Sequence, residues 1–239
     1  MKRILAVLLV LACLPEPEML PERAKAAALT FDDGPSGRFT RQLLDGLKEQ
    51  EIKATFLLCG YRMKEYPELT ERIFREGHEI GIHGYSHDPM DTMGEETLRK
   101  ELDETLALLP EGCRPAFLRP PGGKTGETVR KAAAERGLSL LLWSVDPRDW
   151  AVSDADAVTE HVLSHIRDGS IVLLHDMTRS SVDAALQIAG RLRAEGWRLL
   201  TVSGLLEYRA KQAGPGEIYR QIPPEKPDGN GKKVEKKRK

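Results

Sequence analysis

Two adjacent carboxylates, Asp32 and Asp33, stand where an apolar segment meets a turn. Residues 26–31 predict a short buried strand, which Gly34 and Pro35 end because glycine frees the backbone and proline lacks an N–H. Successive side chains of a strand point to opposite faces, so both acids can serve one site only if the chain already turns between them. We therefore predict unequal roles for the two acids. The alternative is an ordinary turn in which Asp side chains bind local backbone amides.

Two histidines at a spacing of four, His83 and His87, follow a second predicted strand at 79–82. Imidazoles at this spacing can face the same way and bind a metal ion, although the spacing alone is weak support. His161 and His165 have the same spacing but lie on a predicted amphipathic helix, and we interpret them as surface residues. Position separates the two pairs, because only the first follows a strand.

Three further polar segments also follow predicted strands: Arg119-Pro120-Pro121-Gly122-Gly123, Asp146-Pro147-Arg148-Asp149-Trp150 and Leu173-Leu174-His175-Asp176. Each alone has an ordinary explanation: a Pro-Gly turn, the approach to a helix, or a strand-terminal histidine bonded to backbone. Five such segments together favour an active site at the carboxyl ends of the strands.

Strands and helices alternate about seven times. This alternation predicts an α/β fold with a parallel sheet closed or nearly closed into a barrel. The predicted strands are 26–31, 53–58, 79–82, 116–118, 138–143, 170–174 and 198–202. Between the predicted strands at 138–143 and 170–174, Ser153 is predicted to cap a helix that runs to residue 168.

The composition fits one domain, since 239 residues with 40% hydrophobic content can bury a full core. The net charge is -1, but residues 225–239 hold seven basic and three acidic side chains, so this end carries +4 and the remainder -5. We expect no nucleic-acid surface on an acidic body with few aromatics. We predict a disordered basic tail at 213–239, which could touch anionic polymers or lipid. Cys59 and Cys113 make no disulfide framework and are interpreted as structural.

The first 24 residues indicate export. Lys2 and Arg3 precede an apolar run at 4–12 that is too short to span a bilayer comfortably. Residues 10–13 resemble a lipobox, in which Cys13 would be lipidated and become the mature N-terminus. An uncleaved hydrophobic anchor and cleavage near residues 24–28 are the alternatives. We favour membrane tethering of an exported, cell-surface protein and expect a monomer.

Taken together, the five segments resemble, in order and spacing, those of the NodB-homology polysaccharide deacetylases, carbohydrate esterase family four. The resemblance covers residues 25–208 and implies a distorted (β/α)7-type barrel as the deacetylase domain at 25–212. Two positions depart from the family pattern: Gly84 replaces Ser or Thr, and Gly122 replaces Tyr or Phe. These departures affect affinity and substrate choice more than reaction type.

The resemblance also implies a role for each site residue. Asp33, His83 and His87 would bind a divalent metal, with zinc preferred and cobalt or another ion as alternatives, because two nitrogens and a carboxylate suit zinc. Asp32 would act as the base, oriented by Arg119, and His175 as the acid, held by Asp149. The Gly122 N–H would stabilise the oxyanion, and Trp150 and Leu173 would enclose the acetyl methyl, with ordinary core packing as their alternative.

The implied function is metal-dependent removal of acetyl groups from an N-acetylated cell-surface polysaccharide. Peptidoglycan is the preferred substrate, and chitooligosaccharide and O-acetylated xylan stay open. Three other hypotheses compete with this one. A glycoside hydrolase needs carboxylates that flank a sugar bond, which adjacent acids do not. The others are an inactive glycan-binding module of the same fold and an adhesion protein acting through its basic tail.

Overall fold

The computed structural model describes residues 24–225, and within them a parallel β-sheet surrounded by helices. The strands of this region are β1 (Ala26–Asp32), β2 (Thr55–Leu58), β3 (Glu79–Ile82), β4 (Phe117–Leu118), β5 (Ser139–Leu141), β6 (Ile171–His175), β7 (Arg198–Leu199) and β8 (Ile218–Tyr219). The helices are α1 (Gly37–Glu49), α2 (Gly60–Glu65), α3 (Pro67–Arg75), α4 (Glu95–Leu106), α5 (Glu127–Ala134), α6 (Ala155–His165), α7 (Arg179–Ala194) and α8 (Val202–Tyr208). Two 3-10 turns lie at Met90–Thr92 and Pro121–Gly123.

The sheet curls into a nearly closed barrel. Its strand order is β6-β1-β2-β3-β4-β5-β8, with β7 paired to β1, and each of these pairs is parallel. The segment after β5 returns to β6, where the Leu173 N–H donates to the Val145 carbonyl at 2.9 Å. This contact brings the two ends of the sheet together. The predicted distorted (β/α)7-type barrel is therefore confirmed.

Strand β1 divides its residues between two sides of the sheet. Ala27, Leu29 and Phe31 pack in the cluster shared with α1 and α7, whereas Ala26 and Ala28 pack in a second cluster inside the barrel. This alternation is the period of two that a strand imposes. Asp32 is the last residue of β1 and lies in register with His175 of β6, so the site begins where the buried strand ends.

The sheet extends beyond the predicted domain boundary at 212, which is a correction. Strand β8 pairs with β5, and the Leu140 and Leu142 N–H groups donate to the carbonyls of Glu217 and Tyr219, each at 2.7 Å. Ile222 is 1% exposed and packs in the cluster inside the barrel. Residues 213–225 contain only short apolar stretches among Pro, Gly and charged residues. Because these stretches show no periodicity, the sequence predicts a tail there.

The start of α6 also differs from the prediction. Asp154 caps this helix, with its Oδ1 accepting hydrogen bonds from the N–H groups of Asp156 at 2.9 Å and Ala157 at 3.2 Å. Ser153, which was predicted to cap this helix, lies one residue before Asp154. Both residue types cap helices well, so the sequence could not choose between them.

The predicted export segment 1–24 lies outside the described residues apart from Ala24, as does the basic stretch 226–239. Within 24–225, the helices are each too short or too polar to cross a bilayer. Cys59 and Cys113 are buried free thiols.

Candidate active site

Asp32 and Asp33 leave β1 in different surroundings. Asp32 is 3% exposed, whereas Asp33 is partly exposed and has a φ of 70°. A positive φ at a non-glycine residue turns the chain sharply. The expected turn between the two acids is therefore present, and both carboxylates face one cavity.

Arg119 fixes Asp32. The fully buried guanidinium donates from Nη1 to Asp32 Oδ1 at 2.6 Å and to Thr30 Oγ1 at 2.9 Å. Its Nε and Nη2 donate to the carbonyls of Leu141 and Leu142, at 3.2 and 3.0 Å. With its donors satisfied on two sides, the guanidinium stays charged and holds the Asp32 carboxylate in one orientation.

Asp33, His83 and His87 form a cluster whose ligand atoms all lie within 4.8 Å of one another. Asp33 Oδ1 is 3.3 Å from His83 Nε2 and 3.1 Å from His87 Nε2. Burial alone would raise the pKa of Asp33, but the hydrogen bonds and charges of the two imidazoles hold it well below its usual range. The pKa of His87 is raised, mainly by the hydrogen bond with Asp33.

The donor set of this cluster fits a divalent cation. His83 Nδ1 is 2.6 Å from the Arg119 carbonyl, which can only accept, so this nitrogen carries a proton. In the neutral ring, the Nε2 lone pair therefore faces the buried Asp33 Oδ1, and neither atom has a proton to donate to the other. A cation among these atoms would satisfy all three ligands. The Arg119 carbonyl fixes the His83 ring in the way that a hydrogen-bond partner commonly orients a metal-binding histidine.

His175 and Asp149 form a pair on the other side of the cavity. Asp149 Oδ1 is 2.8 Å from His175 Nδ1, and Asp149 Oδ2 accepts the His175 backbone N–H at 2.8 Å. Burial lowers the pKa of His175, but the hydrogen bond and charge of Asp149, with the charges of Asp32 and Asp33, outweigh it and raise the pKa to about 9. The ring is therefore protonated near neutral pH.

The remaining predicted site residues line the same cavity, which has a volume of about 440 Å³. Trp150 is 63% exposed, which excludes ordinary core packing for it, whereas Leu173 is 5% exposed and contributes only an edge to the cavity wall. Gly122 has a φ of 68°, and a Cβ built there would meet nothing within 4 Å. The missing side chain thus leaves open space beside the site.

Two cavity residues, Trp143 and Asp146, were not predicted as site residues. Trp143 lies with its ring centre 5.6 Å from the Arg119 guanidinium carbon. Trp143 ends a predicted strand and Asp146 follows it, so the strand-end argument could have identified both. The control pair, His161 and His165, is exposed on α6 as predicted.

The structure thus brings together a candidate hydrolase site at the carboxyl ends of parallel strands, in which Asp33, His83 and His87 could hold a metal ion between a carboxylate and an imidazolium. Residues 20–141 match the sequence model of the polysaccharide deacetylase family. The chain belongs to this family, which confirms the resemblance and the enzyme class. Enzymes of the family use a divalent metal.

Three known proteins place the chain within the family. It is 38% identical over 196 residues to a peptidoglycan-N-acetylglucosamine deacetylase of Bacillus cereus, an alignment that covers 80% of this chain and 92% of the relative. It is 35% identical over 201 residues to the peptidoglycan-N-acetylmuramic acid deacetylase PdaC of Bacillus subtilis, covering 83% of this chain but 42% of PdaC, so the match spans less than half of that relative. The structure of an acetyl xylan esterase of Clostridium thermocellum in complex with a cobalt ion is 30% identical and superposes with a TM-score of 0.78, covering 83% of this chain and all of that one.

Proposed function

We propose that this protein is an exported, zinc-dependent N-deacetylase of peptidoglycan. One observation carries the proposal: a carboxylate held by Arg119 and an imidazolium held by Asp149 face the same metal-binding cluster in one cavity. General base, general acid and metal ligands are the groups that amide hydrolysis requires.

The metal ligands are Asp33, His83 and His87. These residues would hold a divalent ion, which would supply the Lewis acidity needed to polarise the acetyl carbonyl and to lower the pKa of a water molecule. Asp32 accepts the proton of the attacking water, since Arg119 holds this carboxylate in one orientation. The Gly122 backbone N–H stabilises the charge that develops on the carbonyl oxygen.

His175 donates a proton to the departing amine. Its Nδ1 is engaged by Asp149, so Nε2 is the nitrogen available to substrate, and it lies 3.9 Å from Asp33 Oδ2. An imidazolium on this side and a carboxylate on the other divide acid and base work between two groups. Trp150 and Leu173 provide the apolar wall for the acetyl methyl.

Peptidoglycan is proposed as the substrate because the relatives from Bacillus cereus and Bacillus subtilis are named peptidoglycan deacetylases. The test is acetate release from peptidoglycan, chitooligosaccharide and acetylated xylan by zinc-loaded protein. We expect the fastest release from peptidoglycan, loss after treatment with a strong chelator and recovery with zinc. Faster release from xylan would overturn the substrate, and full activity in metal-free protein would overturn the mechanism.

Membrane tethering through residues 1–24 completes the proposal. The basis is the apolar run that precedes Cys13. If Cys13 is lipidated, Cys13→Ser will move the protein from the membrane fraction to the soluble fraction, whereas retention of this variant will indicate an uncleaved anchor. Parent protein in the soluble fraction would contradict tethering.

A further inference from the structure

Glu101 binds the loop that joins the two histidines of the metal cluster. This loop, residues 84–87, runs from the end of β3 to His87. Glu101, which lies on α4, accepts two consecutive backbone N–H groups at one carboxylate oxygen: Oε2 is 2.8 Å from the Tyr85 nitrogen and 3.0 Å from the Ser86 nitrogen. The mechanism proposed above gives this partly buried carboxylate no role.

The 84–87 loop needs such support, because its backbone begins and ends in the left-handed region. Gly84 has a φ of 83° and His87 a φ of 70°. A Cβ at Gly84 would lie 2.7 Å from Met90 Cε, at the end of a flexible side chain, and the positive φ itself disfavours the Ser or Thr usual in the family. At His87, a positive φ is unfavourable for a residue with a side chain and persists only where the surroundings hold it.

Two elements hold the loop on opposite edges. On one edge, the N–H groups of Gly60 and Tyr61 donate to the carbonyls of Gly84 and Tyr85, at 2.8 and 3.0 Å. Those bonds are backbone to backbone and depend little on side-chain identity. On the other edge, the N–H groups of Tyr85 and Ser86 depend on the Glu101 side chain.

We propose that Glu101 is a positioning residue for the metal site, which rests on the proposed function. Its carboxylate fixes the loop so that His87 Nε2 lies 3.1 Å from Asp33 Oδ1, within reach of a shared cation. Glu101 acts through His87 and does not itself touch the three ligands. It supplies the ordering that a hydroxyl at position 84 cannot supply in this chain.

The test is the zinc affinity of four proteins, measured by competition with a chromogenic chelator. We expect Glu101→Ala to weaken zinc binding by about 10–100-fold, the usual effect of losing an outer partner of a ligand. Glu101→Gln keeps an acceptor oxygen at the same reach and should stay within a few-fold of the parent. Glu104→Ala is the matched control, because it removes the same charge from the same helix. Glu104 is exposed and pairs with Lys100, so this substitution should leave the zinc affinity unchanged.

A double-mutant comparison separates positioning from general stability. In a His87→Ala background, Glu101→Ala should cost no further zinc affinity, because the ligand it positions is gone. The Co²⁺ absorption spectrum of Glu101→Ala should move toward that of His87→Ala.

Two results would overturn the inference while leaving the proposed function intact. One is parent-like zinc affinity in Glu101→Ala, and the other is an undiminished loss in the His87→Ala background. A parent protein that binds no zinc would instead overturn the proposed function, and the inference with it.

Discussion

At the scale of residues, two neighbouring aspartates are made different by their partners. Asp32 is held by a buried guanidinium, whereas Asp33 faces two imidazoles. We therefore propose a proton-accepting role for one carboxylate and a ligand role for the next, which the turn of the chain at Asp33 makes possible.

Substitution of each aspartate should therefore abolish a different property. We expect Asp33→Ala to lose zinc binding and activity together, since it removes a ligand. Asp32→Asn should keep zinc and lose about 10²–10⁴-fold in kcat, the usual contribution of a general base. Zinc content after dialysis and acetate release measure the two properties. Equal zinc loss in both variants would contradict this division.

His175 provides a second prediction, on pH. Its raised pKa of about 9 in the metal-free protein depends on Asp149. Asp149→Asn removes the charge and should lower the midpoint of the His175 titration by about 1–3 pH units, followed by NMR in metal-free protein. In the loaded enzyme the alkaline limb of kcat/KM should move to lower pH, because activity is lost as the acid deprotonates.

Asp146→Asn is the matched control for this experiment. Asp146 lines the same cavity, but its carboxylate accepts the Arg148 backbone N–H and makes no bond to His175. The His175 midpoint should therefore change little in this variant. A shift as large as that of Asp149→Asn would indicate that the general field of the cavity, and not the paired carboxylate, sets the pKa.

The ten predicted site residues could be found from sequence because each lies next to the end of a strand in a recognisable motif. Glu101 could not, since it stands in the middle of an ordinary amphipathic helix and meets the 84–87 loop only in the folded chain. The open space beside Gly122 also required the structure, because a glycine in a sequence does not tell whether neighbours fill its place.

At the scale of elements, the cap of α6 yields a stability prediction. Asp154→Ala should lower the free energy of unfolding by about 0.5–2 kcal/mol, because it leaves the N–H groups of Asp156 and Ala157 without their acceptor. Ser153→Ala should have little effect. Urea unfolding of the two variants measures this difference, and a larger loss for Ser153→Ala would restore the sequence-based assignment.

Some strand boundaries could be predicted from the sequence and others could not. Strand β3 matches its predicted range, where Ile80 and Ile82 alternate with Glu79 and Gly81. The predicted strand at 198–202 ends at Leu199, because Thr201 caps α8 with its hydroxyl oxygen accepting the Gly204 N–H at 3.1 Å. A threonine in an apolar run reads equally well as a strand residue or as a cap.

At the scale of the whole molecule, β8 and Ile222 complete the barrel, and truncation tests this. A chain ending at 225 loses only the basic stretch and should keep the parent Tm. A chain ending at 212 loses β8 and the buried Ile222, whose burial alone contributes about 1.5–3 kcal/mol. We expect a clearly lower Tm for it in a thermal melt. Equal Tm values for the two truncations would restore the domain boundary at 212.

The barrel could be predicted from the alternation of strands and helices, but the pairings that close it could not. Closure depends on the pairing of Val145 with Val172 and on the return of β8 to β5. Such pairings depend on the curl of the sheet, which no local pattern encodes.

Arg119 joins two parts of the site that would otherwise be independent. Its side chain holds the Asp32 carboxylate, and its own backbone carbonyl accepts the proton of His83 Nδ1. The proposed base and the first proposed metal ligand are thus both held by a single residue just after β4. A displacement of Arg119 would carry the two groups together, so their separation would change little.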